Sequence, residues 1–150
     1  AKVWELAEKY KDKFSVCTVH SAAVFGALLP GQPVSASMLI IQDIAMGKVM
    51  SRMFAICDAG DFAAMHVAGL ERPETAGQRY IVTSADQIST LELAEWAAAA
   101  GASGVDSAAW AGDAEAQKMA PKKPSIDNRK VLALFGRALV PPARCWRSSG

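Results

Sequence analysis

The densest run of reactive side chains is Cys57–Pro73, CDAGDFAAMHVAGLERP, where Asp58 and Asp61 stand three residues apart and His66 follows five positions later. Two carboxylates and an imidazole are the ingredients of a metal site or of acid–base chemistry. On a helix, however, His66 lies more than a full turn beyond Asp61, so the three groups do not converge on one ion. The spacing of Asp58 and Asp61 instead matches reciprocal N-terminal capping, with Asp61 also favoured by the helix dipole. We therefore expect the acids to punctuate a helix and His66 to be structural, beside Ala63, Val67 and Leu70.

His20 has two readings. It ends a predicted strand, the position at which α/β proteins present ligands, or it is a hydrogen-bonded core histidine. Ser84, Ser89 and Thr90 lack a G-x-S-x-G elbow and an acid–histidine partner, which leaves them as turn and cap residues. Cys17, Cys57 and Cys145 are odd in number, widely separated and free of CxxC or CxxH spacing. They are expected as reduced thiols, Cys57 within an apolar strand, with neither a disulfide framework nor a zinc site. No catalytic residue and no metal ligand is assigned.

The elements that must position these residues follow from periodicity. AKVWELAEKY places Val3, Leu6, Ala7 and Tyr10 on one helical face and reads as a helix already under way, so the chain is expected to be a piece of a longer fold. Val16–Val19 is a short β-branched run, as in a buried parallel strand, and it empties through Gly26 and Pro30 into a loop. SASMLIIQDIAMGK opens at a Ser35 or Ser37 cap and carries Met38, Ile41, Ile44 and Ala45 to a stop at Gly47. A second strand spans 52–57. Asp58 then caps a helix from Ala59 to Glu71 that Pro73 ends. A third strand holds Tyr80, Ile81 and Val82, after which Ser89 or Thr90 caps LELAEWAAAA, a covering helix. This alternation predicts an α/β fold of three short strands with covering helices. Residues 1–100 form its body and 101–125 a loop or loosely held segment. Residues 126–150 hold a short helix, with Val131, Leu134 and Phe135 on one face and Gly136 as its stop, and a tail expected to fray.

Composition narrows the function. Sixteen basic against fifteen acidic residues in 150 make no strong field, and no basic and aromatic stripe gathers, which argues against a nucleic-acid partner. No apolar run reaches the length of a membrane span, and Lys2, Glu5, Glu8 and Lys9 exclude the apolar core of a secretory signal from the first ten residues. The expected setting is soluble and cytoplasmic.

Five stretches, in order, resemble the C-terminal half of an extended short-chain dehydrogenase/reductase, within the NAD-dependent epimerase/dehydratase superfamily. They are AKVWELAEKY, VCTVHSAAVFGALLP, SASMLIIQDIAMGK, ICDAGDFAAMHVAGLERPETAGQRYIVTS and DNRKVLALFGRALVPP. The likeness is to dihydroflavonol 4-reductase-like aldehyde and ketone reductases, and it covers roughly residues 1–98 and 126–142. It implies a partial Rossmann-type fold, NADP(H) as cofactor and a small carbonyl compound as substrate of the complete protein. It also implies cofactor contacts from Ser21, Ala22, Ala23 and Val24, beside the nicotinamide, and from Ser35, near the phosphates. Ser35 is equally legible as a helix cap.

The sequence departs from that pattern where chemistry would reside. It has neither a GxxGxxG turn nor a YxxxK pair, and Tyr10 is followed four residues later by Phe14. A pyrophosphate needs close backbone approach at a helix N-terminus, and carbonyl reduction needs an acid for the developing alkoxide. The expected function is thus that of a substrate-side portion of a reductase, truncated or derived from a broken gene and inactive alone. The alternative is a non-catalytic α/β interaction module that retains the framework.

Overall fold

A computed structural model describes residues 2–27, 30–48, 53–99, 101, 105 and 126–147, with side chains through Cys145. The order is α1 (Lys2–Lys9), β1 (Thr18–Ser21), β2 (Ala23–Phe25), α2 (Ala36–Ala45), β3 (Met53–Asp58), α3 (Ala59–Glu71), β4 (Arg79–Val82), β5 (Gln87–Ser89), α4 (Thr90–Ala99), α5 (Arg129–Phe135) and α6 (Pro142–Arg147). The α/β class is as expected, but five strands form among the described residues where three were predicted. β2 was taken for loop because its small residues and Gly26 mask a three-residue strand, and β5 is equally short. The loop expected over 101–125 lies outside the described residues, apart from Gly101 and Val105.

β1 pairs with β4 in parallel, and β3 lies between β2, parallel to it, and β5, antiparallel. β1 and β2 are one chain path that changes partner at Ala22. Along β2 the side chains alternate between two apolar clusters, with the period of two that a strand dictates. Phe25 joins Ile44, Ile56, Ile88, Leu93, Ala94, Ala97 and Cys145 in one apolar cluster. Val24 packs on the other, formed by Cys57, Met65, Ala68, Tyr80, Val82 and Val131. Ile56 and Cys57 thus face opposite clusters, which is why MFAIC is apolar throughout: helices cover both sides of β3.

The helices start and stop as their sequences dictate. The Ser35 hydroxyl accepts from the Met38 amide at 3.3 Å, and Asp58 Oδ1 accepts from the Gly60 and Asp61 amides at 2.8 and 3.2 Å. The reciprocal capping predicted for Asp58 and Asp61 occurs instead at α4. There the Glu92 amide donates to Ser89 Oγ at 3.1 Å and the Ser89 amide to Glu92 Oε2 at 2.8 Å. Gly136, with φ of 63°, ends α5 in the left-handed conformation.

Asp61 has a different task. Its carboxylate is only 2% exposed; Oδ1 accepts from Arg137 Nη2 and Oδ2 from the Val140 amide, both at 2.6 Å. These bonds tie the segment after α5 to the start of α3, 76 and 79 residues away in the chain. The segment then enters α6, whose Cys145 is buried against β3. The tail expected to fray is therefore helical through Arg147, because the Asp61 tie delivers it to the apolar cluster.

Removing Asp61 strips a buried amide and an arginine of their acceptor. Asp61→Ala is expected to lower stability by about 2–4 kcal/mol, a fall of roughly 5–15 °C in melting temperature. Arg137→Ala, which keeps the Val140 bond and removes a half-exposed partner, is expected to lose about 1 kcal/mol. Thermal denaturation of the two variants beside the parent checks the order.

Candidate functional site

In parallel α/β sheets, ligands lie beyond the carboxyl ends of the strands. Here β2 and β3 end side by side, Phe25 opposite Asp58. α3 starts directly after β3, and α2 starts eleven residues beyond Phe25, at Ala36. The approach is close at Gly26: a Cβ there would meet the Ala59 Cβ at 2.6 Å, so glycine is required for β2 to end against α3. Between these ends is a cavity of about 270 Å³ lined by Val24, Gly26, Gln32, Ser35, Met38 and Ala59, among others.

The structure divides the five residues predicted to contact a cofactor. Val24 and Ser35 meet at the cavity. Ser21 and Ala22 are exposed at the end of β1, where the chain changes sheets, and Ala23 turns inward onto the Phe25 cluster. Ser35 is also the cap of α2, so both readings of this residue hold at once.

The electrostatics of the cavity are asymmetric. α3 presents an N-terminus whose Gly60 and Asp61 amides are already taken by the Asp58 carboxylate. α2 presents an N-terminus capped by a neutral hydroxyl, so its partial positive charge is the one open to an anionic group. The volume lies just under the range typical of whole-ligand pockets, ~300–1,000 Å³. It suits one ring or one phosphate-sized moiety of a dinucleotide, and no glycine-rich turn is present in the sequence to take the remainder.

Other predicted candidates disperse. His20 is exposed at the end of β1, so it is not a core histidine. His66 is exposed as well, with its Nδ1 2.8 Å from the Phe62 carbonyl and its ring edge-on to Phe62. Val67 and Leu70, expected beside His66, share that outer side, at 50% and 89% exposure. The inner face of α3 is Asp61, Met65 and Ala68. No cluster of three or more metal-ligating side chains occurs among the described residues, and none of the described helices is long and apolar enough to cross a membrane.

A second cleft, of about 580 Å³, is lined by Arg79, Ile81 and Asp127–Val131. Its charges are largely engaged: Arg129 donates to both Asp127 oxygens and holds that carboxyl down at about 2, and Lys130 Nζ donates to Gln78 Oε1 at 2.7 Å. Sequence reasoning missed this cleft, since Arg79 and Asp127 are brought together only by the β4–α5 contact.

No protein-family profile and no curated protein sequence matches the chain. Solved structures do. The yeast methylglyoxal/isovaleraldehyde reductase Gre2, complexed with NADPH, superposes with a TM-score of 0.76 at 20% identity over 97% of this chain and 45% of its own. Vestitone reductase from alfalfa gives 0.72 at 14% over 98% and 46%. A nucleoside-diphosphate-sugar epimerase from Pseudomonas aeruginosa gives 0.61 at 18% over 97% and 51%. The chain spans about half the length of these proteins. It shares the partial Rossmann-like α/β fold of these solved proteins. Within that fold, Gre2-type reductases and vestitone reductase are among the structures it resembles, in line with the likeness seen in the sequence.

Cys57, beside the site, yields a pH test. Burial, then the charges of Asp61, Cys145 and Asp58, push its thiol from 9.0 up to about 12. Between those values the unfolded thiol ionises while the folded one stays protonated. The contribution of this thiol is therefore intact below pH 9 and lost as pH rises toward 12. Denaturant titrations are expected to show stability falling over that window, with a shallower fall in Cys57→Ala.

Proposed function

We propose that this chain is the C-terminal, substrate-side portion of an NADP(H)-dependent oxidoreductase that reduces an aldehyde or ketone, of the dihydroflavonol reductase-like type. The observation that carries the proposal is the convergence of Val24, Ser35 and the start of α2 on one cavity at the carboxyl ends of β2 and β3. Its fold is shared with a reductase solved with NADPH. Ser21, Ala22 and Val24 would border the nicotinamide end of the cofactor, with Ser35 and the α2 amides toward phosphate. Ala23 would contribute backbone alone, since its side chain packs inward. NADPH, when bound, supplies the hydride. This chain supplies a wall and a dipole, while the proton donor and the glycine-rich turn would lie in another part of the protein.

A second reading, a non-catalytic α/β interaction module, is favoured by the absence of YxxxK and GxxGxxG from the sequence. Activity after reconstitution separates the two. The chain is joined to the N-terminal portion of the yeast reductase, and NADPH consumption is followed with isovaleraldehyde. Turnover above that of either part alone, reduced several-fold by Ser35→Ala through a raised KM for NADPH, is the expected outcome. A folded hybrid without turnover favours the module.

A further inference from the structure

β4 has one paired edge and one open edge. The Thr18 amide donates to the Gln78 carbonyl at 3.0 Å, and Thr18 stands opposite Arg79 in the register. In a parallel ladder alternate residues bond to the same side, so Gln78, Tyr80 and Val82 serve β1, while Arg79 and Ile81 direct their amides and carbonyls the other way. No described strand lies on that side. The cleft of about 580 Å³ between β4 and the start of α5 lies there instead, lined by Arg79 and Ile81.

The two sides of this edge differ in their neighbours but not in the sign of their charge. Tyr80 and Val131 share the inner cluster, and Lys130 Nζ stands 5.6 Å from the centre of the Tyr80 ring, which puts Lys130 on the inner face of the strand. Arg79 and Ile81 alternate to the outer face, where both are exposed. Arg129 and Asp127 neutralise each other through two side-chain hydrogen bonds. Lys130 bonds the uncharged Gln78, and among the described residues no hydrogen bond or ion pair engages the Arg79 side chain. The open edge is therefore flanked by an uncompensated positive charge on each face, with apolar Ile81 beside them.

We propose that this edge is a docking groove for an extended acidic segment of another protein, which adds to β4 as a short strand. The pleat specifies its side chains: an acid opposite Arg79, an apolar residue opposite Ile81 two positions away, and between them a second acid directed to Lys130. A peptide fits better than a phosphate or a nucleic acid, because the edge presents carbonyls as well as amides. Phosphate oxygens would leave the Arg79 and Ile81 carbonyls without a donor, whereas a peptide backbone brings donors and acceptors in the same alternation. A second copy of the chain is opposed by charge, since two-fold pairing of β4 edges brings Arg79 and Lys130 against their own equivalents. The proposal does not depend on the reductase reading.

The test uses the peptide Thr-Val-Glu-Glu-Val-Thr-amide with a fluorophore at its N-terminus, which presents the required pattern in either strand direction. It is titrated into the full chain and followed by fluorescence anisotropy and by amide NMR shifts. Saturable binding that salt weakens, with shifts at the Arg79 and Ile81 amides, is the expected result. Arg79→Gln keeps the backbone and a long exposed side chain; it is expected to retain the parent's melting temperature and lose about two- to fivefold in affinity. N-methylation of both glutamates leaves the peptide's charge intact and removes the amide that faces β4, so it is expected to abolish binding. Inorganic phosphate and an oligothymidylate are expected to bind at least tenfold more weakly than the peptide. The proposal is overturned by any of four results: no binding, binding that N-methylation leaves intact, equal or tighter binding of phosphate or the oligothymidylate, or the mass of a dimer with the Arg79 and Ile81 amides already protected in the free chain.

Discussion

A single buried carboxylate ties the C-terminal segment of this structure to its middle. Asp61 lies at the start of α3, and its oxygens take Arg137 and the Val140 amide from a segment nearly eighty residues later. Without that tie, nothing local would direct the stretch after Gly136 across the α3 N-terminus. Val140 and Cys145 would then not reach the cluster of Phe25, Ile44 and Leu93. A charge so buried is tolerated because both oxygens are satisfied, one by a charge-assisted bond. The core under α2 and α4 is therefore completed from the C-terminal end of the chain.

The same region sets the geometry of the cavity. Asp58 and Asp61 divide the work at the head of α3: one caps the helix, the other anchors the C-terminal segment. Gly26 lets β2 end against Ala59, and the alternation of β2 sends Phe25 into one cluster and Val24 toward the other. What remains between the strand ends and α2 is a small space bordered by a hydroxyl and a free helix dipole. The charge of Asp58 disfavours a second anion at α3, so any phosphate is directed to the α2 side.

Helices with strong caps were legible in the sequence, because the capping chemistry is local: Ser35, Asp58 and Gly136 act as read. The third strand was legible because its alternation and its bounding turns are local too. What escaped depends on distant partners. Asp61 has the spacing of a capping residue, and only Arg137 and Val140 make it an anchor. The tail carries no period, yet folds because a buried cluster accepts Cys145. β2 and β5 are three residues each, too short to show a pattern without β3 between them. His20 and His66 were weighed by their place along a strand and a helix, which does not tell a buried side from an open one, and both are at the surface. Of the site, Val24 and Ser35 were found through family likeness, whereas Gly26 was noted only as a loop residue and its contact with Ala59 was not visible.

The central claim is that a cofactor meets this chain at the strand ends and the head of α2. The most direct measurement is an NMR titration of the isotope-labelled chain, assembled with the N-terminal portion of the yeast reductase, with NADPH. The account predicts saturable shifts at the amides of Ser21, Ala22, Val24 and of the first turn of α2 after Ser35. Shifts confined to the Arg79 and Lys130 cleft, or none at saturating cofactor, would contradict it.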